Sequence, residues 1–448
     1  MLSPQAAQDR AAALIDRARR AGADAADAVY HGSSSEGVQV RLGRLEDVER
    51  SESEAVDLRV FVGQRSASIG SSDMSDEALD ELAARAVAMA RAAPEDRYAG
   101  LAPEELLARG EFPALDLADA DEPSPQSLRA LAEAAEDAAR GVAGVTNSEG
   151  AGASAGEGVM ALATSHGFAG TYAGTSRGLS ASVIAGEGSA MQRDYGHRSV
   201  RHGSDLPSPE EIGKQAGDRA VARLNPGRLK SGAMPVVFDP RVGGSLISHL
   251  VGAMTGAGIA RRASFLLDRE DEVLFDSAII ITDDPLRPRG LRSRPFDAEG
   301  LPVAARNLVE GGRITGWLMD CASARQLGRA PSGHAVRGSG GAPGAGPSNL
   351  HLAAGTVSPA VLMADIADGV YVNELIGQGV NGVTGDYSRG ASGFRIVGGE
   401  IAGPVAEFTI AGNLIAMFAA LVPANDLEWH RAINVPTLRV DGMMIAGD

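Results

Sequence analysis

The chain has 448 residues, with 41 lysines and arginines against 58 aspartates and glutamates, for a net charge of −17. That length can hold a substantial core, and that charge argues against a general nucleic-acid-binding role. The lone cysteine, Cys321, excludes an intrachain disulfide and so a disulfide-stapled secreted domain.

The opening "MLSPQAAQDRAAALIDRARR" has no apolar signal core. It predicts an amphipathic helix over 3–22, with Ala6, Ala7, Leu14 and Ile15 at helical spacing. Between about 25 and 73 the apolar residues alternate, which predicts three or four short strands punctuated by Gly37, Gly43, Gly63 and Gly70. Ser75 is placed to cap a helix carrying Ala78, Leu79 and Leu82, which ends near Pro94; Asp76 and Glu77 suit its first turn. Residues 94–123 are a Pro- and acid-rich connector. Ser124 and Ser127 open an Ala-rich helix ending at Gly141. From about 143 to 200 small and polar residues alternate, the pattern of successive half-buried strands. A further helix is expected over 208–224.

Composition shifts after about Gly227, so the chain divides into 1–228 and 229–448. "MPVVFDP" reads as a buried strand, and "RVGGSLISHLVGAMTGAGIARRASFLL" as a helix interrupted by glycine. "RITGWLMD", "AVLMADIADGVYVNELI" and "FRIVGGEIAGPVAEFTI" read as strands or hairpins, and "EFTIAGNLIAMFAAL" holds a short helix. Residues 331–349, "PSGHAVRGSGGAPGAGPSN", read as a flexible surface loop. No stretch approaches 18 uninterrupted apolar residues, so a soluble, cytoplasmic protein with no membrane partner is expected, a weak peripheral attachment staying open.

Eight histidines are present: His31, His166, His197, His202, His249, His334, His351 and His430. None is followed by Glu, so there is no H-E-x-x-H motif. His197 and His202 lie five apart near Asp194 and Asp205, and read as exposed imidazoles rather than ligands. "GTSRG" places Ser176 in a G-x-S-x-G pattern, but a strand-like segment follows where a hydrolase needs a helix. "GQGVNG" at 377–382 is followed by a turn, which argues against dinucleotide binding. Cys321 reads as a buried small hydrophobe.

Two blocks are candidates for binding. "NELIGQGVNGVTGDYSRGASGFRI" packs Glu374, Asn381, Thr384, Asp386, Tyr387, Ser388 and Arg389 between glycines, which let backbone approach a ligand while the polar side chains orient it. "IITDDPLRPRGLRSRPFDAEG" offers Arg292 and Arg294, with Arg287 and Arg289, to a carboxylate or an acidic partner surface. The alternative for the second block is an internal ion-pair network. Asp283 and Asp284 are adjacent, so both cannot face inward from one strand.

"SFLLDREDEVLFDSAIIITDDPLRPRGLRSRPFDAEGLP", "VYVNELIGQGVNGVTGDYSRGASGF", "AEFTIAGNL" and "MMIAGD" resemble the TldD/PmbA, or modulator-of-DNA-gyrase, family, in its PmbA/TldE branch. The resemblance implies an α+β fold of two domains: an N-terminal α/β domain with an antiparallel sheet and a mainly β, barrel-like C-terminal domain. It implies a subunit that pairs with a TldD-type partner to cleave peptides and small unfolded proteins. The partner would carry zinc on a His-Glu-x-x-x-His helix plus a cysteine. Here that helix reads "SLISHLVGAMTG", where Leu250 follows His249 and residue 253 is Ala. The expectation is therefore no catalytic residue and no cofactor in this chain, with zinc in the partner subunit and a possible homodimer when isolated. Two other readings stay open: a homodimeric hydrolase with an unconventional site, and a non-enzymatic peptide- or protein-binding protein.

Overall fold

A computed structural model describes residues 1–338 and 340–448. Helix α1 (Pro4–Arg20) begins where the Ser3 hydroxyl accepts from the Ala6 N–H and Pro4 needs no donor. It ends on Arg17, Arg19 and Arg20, which oppose the helix dipole. Strands β1 (Ala25–Arg41) and β2 (Arg44–Val62) then pair antiparallel along their whole length, and β3 (Arg65–Ser71) follows. The three or four short strands expected here are instead two strands of 17 and 19 residues and one of 7. Gly37 does not end β1; it stays in the ladder opposite Glu49. Residues 44–53 are exposed at every position, so they lack the apolar alternation that would reveal a strand.

Helices α2 (Asp76–Ala92) and α3 (Pro125–Arg140) start at Ser75 and Ser124, whose side chains cap Ala78 and Ser127 as expected. Strands β4 (Val145–Thr164), β5 (Ala169–Ala185) and β6 (Gln192–Val200) lead to α4 (Pro209–Ala222), which opens with a reciprocal Ser208–Glu211 capping box. The six strands form one antiparallel sheet in the order β3-β2-β1-β4-β5-β6. All four helices cover one face. Ala26, Ala28 and Tyr30 of β1 meet α1 and α2, while Val38 and Val40 meet α3 and α4. The last two helices lie so close that a Cβ on Gly213 would sit 2.1 Å from the Ala135 carbonyl oxygen.

The second half begins with β7 (Gly232–Phe238), α5 (Pro240–Ala253) and α6 (Gly256–Ala260). Short strands β8 (Ile281–Asp283), β9 (Arg306–Glu310) and β10 (Arg313–Ile314) precede α7 (Cys321–Leu327), β11 (Ala335–Val336), β12 (Gly344–Ala345), β13 (Leu350–Leu352) and α8 (Pro359–Met363). The chain closes with β14 (Asp368–Ile376), β15 (Asp386–Val397), β16 (Glu400–Asn413), α9 (Leu414–Ala419), β17 (Leu421–Pro423), β18 (Ile433–Asn434) and β19 (Leu438–Ala446). Strands run in the order β16-β15-β14-β7-β19, and β16 also pairs with β19, opposing Thr409 to Ala446. That last pairing closes the sheet into a barrel. Of "RITGWLMD" only Arg313–Ile314 is strand; Trp317, Leu318 and Met319 enter the core as irregular chain. Among the described residues, no helix is long and apolar enough to cross a membrane.

The two halves meet around Phe112, Phe168 and Phe296, whose rings lie 4.9–6.0 Å apart, with Val29, Leu162 and Cys321 beside them. The segment 331–349 is not a free surface loop. Strands β11 and β12 pair within it, and His334, Ala335, Ser348 and Asn349 are buried. Ser348 donates from both N–H and hydroxyl to Asp283. Close approach needs glycine at Gly333 and Gly346, where an added Cβ would lie 2.6 Å from the Pro302 carbonyl oxygen and 2.9 Å from a Val336 methyl, a use that composition does not separate from mobility.

Candidate functional site

Alternation along β1 puts His31, Ser33, Ser35 and Gly37 on the sheet face opposite the helices. Gly156 and Gly158 of β4 and Gly174 and Ser176 of β5 share that face and line a cavity of about 670 Å³. Gly152, Ser154, Gly178 and Ser180 extend it into a second hollow of about 340 Å³, with Ser35 in both. The result is a trough floored largely by glycine and serine. At one end Arg337, almost wholly buried, donates to Asp27, yet its Nε and Nη2 have no partner among the described residues. Asp57 accepts from the Gly340 N–H, and its other oxygen lies 3.9 Å from His31 Nε2 without a hydrogen bond.

The residues predicted on 373–396 do not converge on one surface. Glu374 bonds Ser392 and Arg223; Arg223 reaches Asp194, and Asp194 reaches Arg241 at 2.6 Å. This chain of charges ties α4, β6, α5 and β14 together. Burial pushes the Glu374 carboxyl up, but Arg223 and Ser392 outweigh it and hold the group below its ordinary value. Asn381 accepts from the Val383 and Thr384 N–H groups, and the Thr384 hydroxyl donates to Asp386 at 2.6 Å, so these three order their own turn. Ser388 donates its N–H to the Gly379 carbonyl. Tyr387 is buried with its hydroxyl unpartnered among the described residues, and Arg389 donates to the Ile376 carbonyl.

In the second block Arg292 is exposed and Arg294 donates weakly to the Gly346 carbonyl at 3.4 Å. Among the described residues, neither bonds to the 373–396 segment. Asp283 points inward and is fully buried, while Asp284 caps the Leu286 N–H. Asp297 accepts from the Glu299, Leu301 and Ala335 N–H groups, and Arg289 pairs with Asp116 and Asp205. The internal network reading fits these groups. Ser176 lies inside β5 with strand on both sides, so it is not on a nucleophile elbow. His202, expected exposed, is buried: its Nε2 sits 3.0 Å from the Asp116 carbonyl, because the 94–123 connector folds over it. His197 is exposed as expected.

A cleft of about 570 Å³, continuous with a smaller one of about 230 Å³, gathers Arg198, Arg201, Arg219, Arg287 and Arg431 from four separate segments. They lie 233 residues apart at the extremes, so no local motif announces them.

Three family profiles cover the chain: PmbA/TldA metallopeptidase domain 1 at 26–90, the central domain at 118–224 and the C-terminal domain at 231–447. The chain is 37% identical to the metalloprotease PmbA of Escherichia coli O157:H7 over 95% of this chain and 92% of that one. The chain belongs to the PmbA/TldD family. A PmbA homologue of Haemophilus influenzae is 34% identical over 97% of this chain and 94% of its own. A protein of Bacteroides thetaiotaomicron described as a modulator of DNA gyrase superposes with a TM-score of 0.92 at 26% identity, covering both chains fully. TldE from Thermococcus kodakarensis shares the fold, with a TM-score of 0.87 at 21% identity over 98% of this chain and 100% of that one. Strands of the first two PmbA/TldD segments lie in the one six-stranded sheet, and the third segment contains the barrel.

The metallopeptidase names of this PmbA/TldD family imply a metal, and the helix that follows β7 is where its fit is tested. On α5, His249 Nε2 is buried and unpartnered among the described residues. It faces the Tyr387 ring at 6.2 Å, and burial together with the Arg389 cation lowers its proton affinity. No carboxylate or thiol joins it, and among the described residues no three His, Cys, Asp or Glu side chains gather to hold a metal. Cys321 is buried beside Glu299, and burial pushes its thiol far up, against forming a thiolate ligand. A cation beside Arg389 with one imidazole does not fit zinc.

Proposed function

We propose that this chain is the metal-free PmbA/TldE-type subunit of a two-component cytoplasmic protease, paired with a zinc-bearing TldD-type subunit that acts on peptides and small unfolded proteins. The observation that carries the reading is α5. Its one histidine is followed by leucine, and its neighbours are an aromatic ring and a cation rather than further ligands. Family membership supplies the proteolytic context, through relatives named as metalloproteases.

In this reading the chain's own task is to hold substrate. The glycine- and serine-floored trough keeps side chains low, so an extended peptide can lie close to the sheet and reach main-chain and hydroxyl groups. The chain of charges from Glu374 to Arg241 keeps the barrel fixed against the six-stranded sheet while partner and substrate bind. Mixing the purified chain with its TldD-type counterpart tests the pairing. A one-to-one complex on size exclusion, cleaving an unstructured peptide that neither subunit cleaves alone, is the expected result. No complex, or cleavage by this chain alone, would overturn it.

A further inference from the structure

We propose that the arginine-lined cleft between β6, the 287–291 segment and the 428–434 segment is a recognition site for carboxylate groups of a substrate peptide. The inference rests on the reading of this chain as a peptide-handling subunit and adds the chemistry of what it holds. Five guanidinium groups line the joined hollows, and none of Arg198, Arg201, Arg219, Arg287 or Arg431 has a carboxylate within ion-pair distance among the described residues. That is unusual in a chain of net charge −17, where acidic partners are in excess.

Their roles divide. Arg201 donates to the carbonyls of Thr175, Gly290 and Leu291, and Arg219 to that of Tyr195, so these two are fixed parts of the wall. Arg198 has no hydrogen-bond partner among the described residues. Arg287 lies over the Trp429 ring, 3.5 Å from its centroid, and the Arg431 Nε–H donates to the neighbouring His430 Nε2 at 3.3 Å. A guanidinium stacked on an aromatic face keeps its N–H edge free for a planar bidentate acceptor. Burial first, then Arg198, Arg431, Arg219 and His197, push the His430 imidazole down to about 4, although Asp239, Asp426 and Glu428 line the same hollow.

The walls favour carboxylate over phosphate or polyanion. Glu428 and Asp205 also face the cleft, and they would repel a doubly charged group more than a singly charged one. Trp429, 42% exposed beside the Arg287 that lies over it, offers apolar contact to the rest of a peptide. Ser199 and His197 border both this cleft system and the trough, so a chain lying along the sheet can place an acidic side chain or its C-terminus here.

The test is fluorescence anisotropy on the full chain with a labelled unstructured peptide carrying Glu residues and a free C-terminus. Its comparators are the C-terminal amide, the Glu→Gln peptide and a peptide with both changes. Neutralising either carboxylate is expected to weaken binding, and neutralising both to weaken it at least tenfold. Arg198→Gln with Arg431→Gln should weaken the acidic peptide at least tenfold and leave the doubly neutral one within twofold. Arg198→Lys with Arg431→Lys should recover part of the loss, and unchanged thermal unfolding of the Gln variant excludes misfolding. Equal affinity for acidic and neutral peptides would overturn the assignment. So would unaltered binding by the Gln variant, or competition by inorganic phosphate far exceeding that by acetate at equal ionic strength. Because only binding by this chain is read, cleavage by the two-subunit mixture with no carboxylate preference here would sink this inference and leave the pairing intact.

Discussion

Asp27 is the residue on which the two halves of the chain meet. It accepts from Arg59 Nε at 2.8 Å and from Arg337 Nη1 at 2.7 Å, and all three side chains are nearly inaccessible. Burial pushes its carboxyl up, but the two guanidinium groups outweigh that and hold it below its ordinary value. Asp27→Asn leaves two buried cations short of a charge, so we expect a loss of about 3–5 kcal/mol in urea unfolding. Because the folded value is depressed, the stabilisation is full above about pH 4, the unfolded value, and is lost as pH falls through the folded one. The variant should therefore lack that part of the acid-induced loss. Glu299 behaves oppositely. Burial pushes it up to about 7 against the pull of Arg59. It stays protonated in the fold where the unfolded chain would release the proton, so its contribution is present below about pH 4 and lost as pH rises towards 7. Glu299→Gln should flatten the fall in melting temperature between pH 5 and 7; an unchanged slope would place the titration elsewhere.

At the scale of elements, the helices of the first half were the most legible part of the sequence, whereas α8 (Pro359–Met363) falls in a stretch read as strand. Ser3, Ser75, Ser124 and Ser208 each stand directly before a helix and accept from its first turn, so a local signal met a local cause. Strands were legible in kind but not in length, because residues 44–53 face solvent on both sides. The 335–345 hairpin was hidden, since its order comes from Asp27 and Asp57, about 300 residues away. The candidate binding residues divided for the same reason: Asn381, Thr384 and Asp386 satisfy one another within a turn, whereas Glu374 is claimed by Arg223 from the other half. The arginine cleft had no local pattern at all. Gly213 of α4 faces the backbone of α3, where a Cβ would come within 2.1 Å of the Ala135 oxygen and 2.9 Å of the Ala138 Cβ. Backbone cannot swing aside as a side chain can. Gly213→Ala should cost about 1–3 kcal/mol in denaturant unfolding despite the better helix propensity of alanine; a stabilised variant would show that the helices part easily.

For the whole molecule, a helix-backed sheet and a closed barrel are joined by aromatic packing and two buried ionic networks, one through Asp27 and one through Asp194. This arrangement leaves the glycine and serine face of the sheet open and places the arginine cleft beside it. A rigid frame with an open trough, and with a helix whose histidine faces a cation, suits a subunit that positions peptides for chemistry done elsewhere. The most direct test is to measure zinc in each purified subunit alongside peptide cleavage by each alone and by the mixture, with and without chelator. This chain alone is expected to hold no stoichiometric zinc and to cleave nothing, with zinc-dependent, chelator-sensitive cleavage when the TldD-type subunit is added. One zinc per chain with chelator-sensitive cleavage by this chain alone would contradict that expectation.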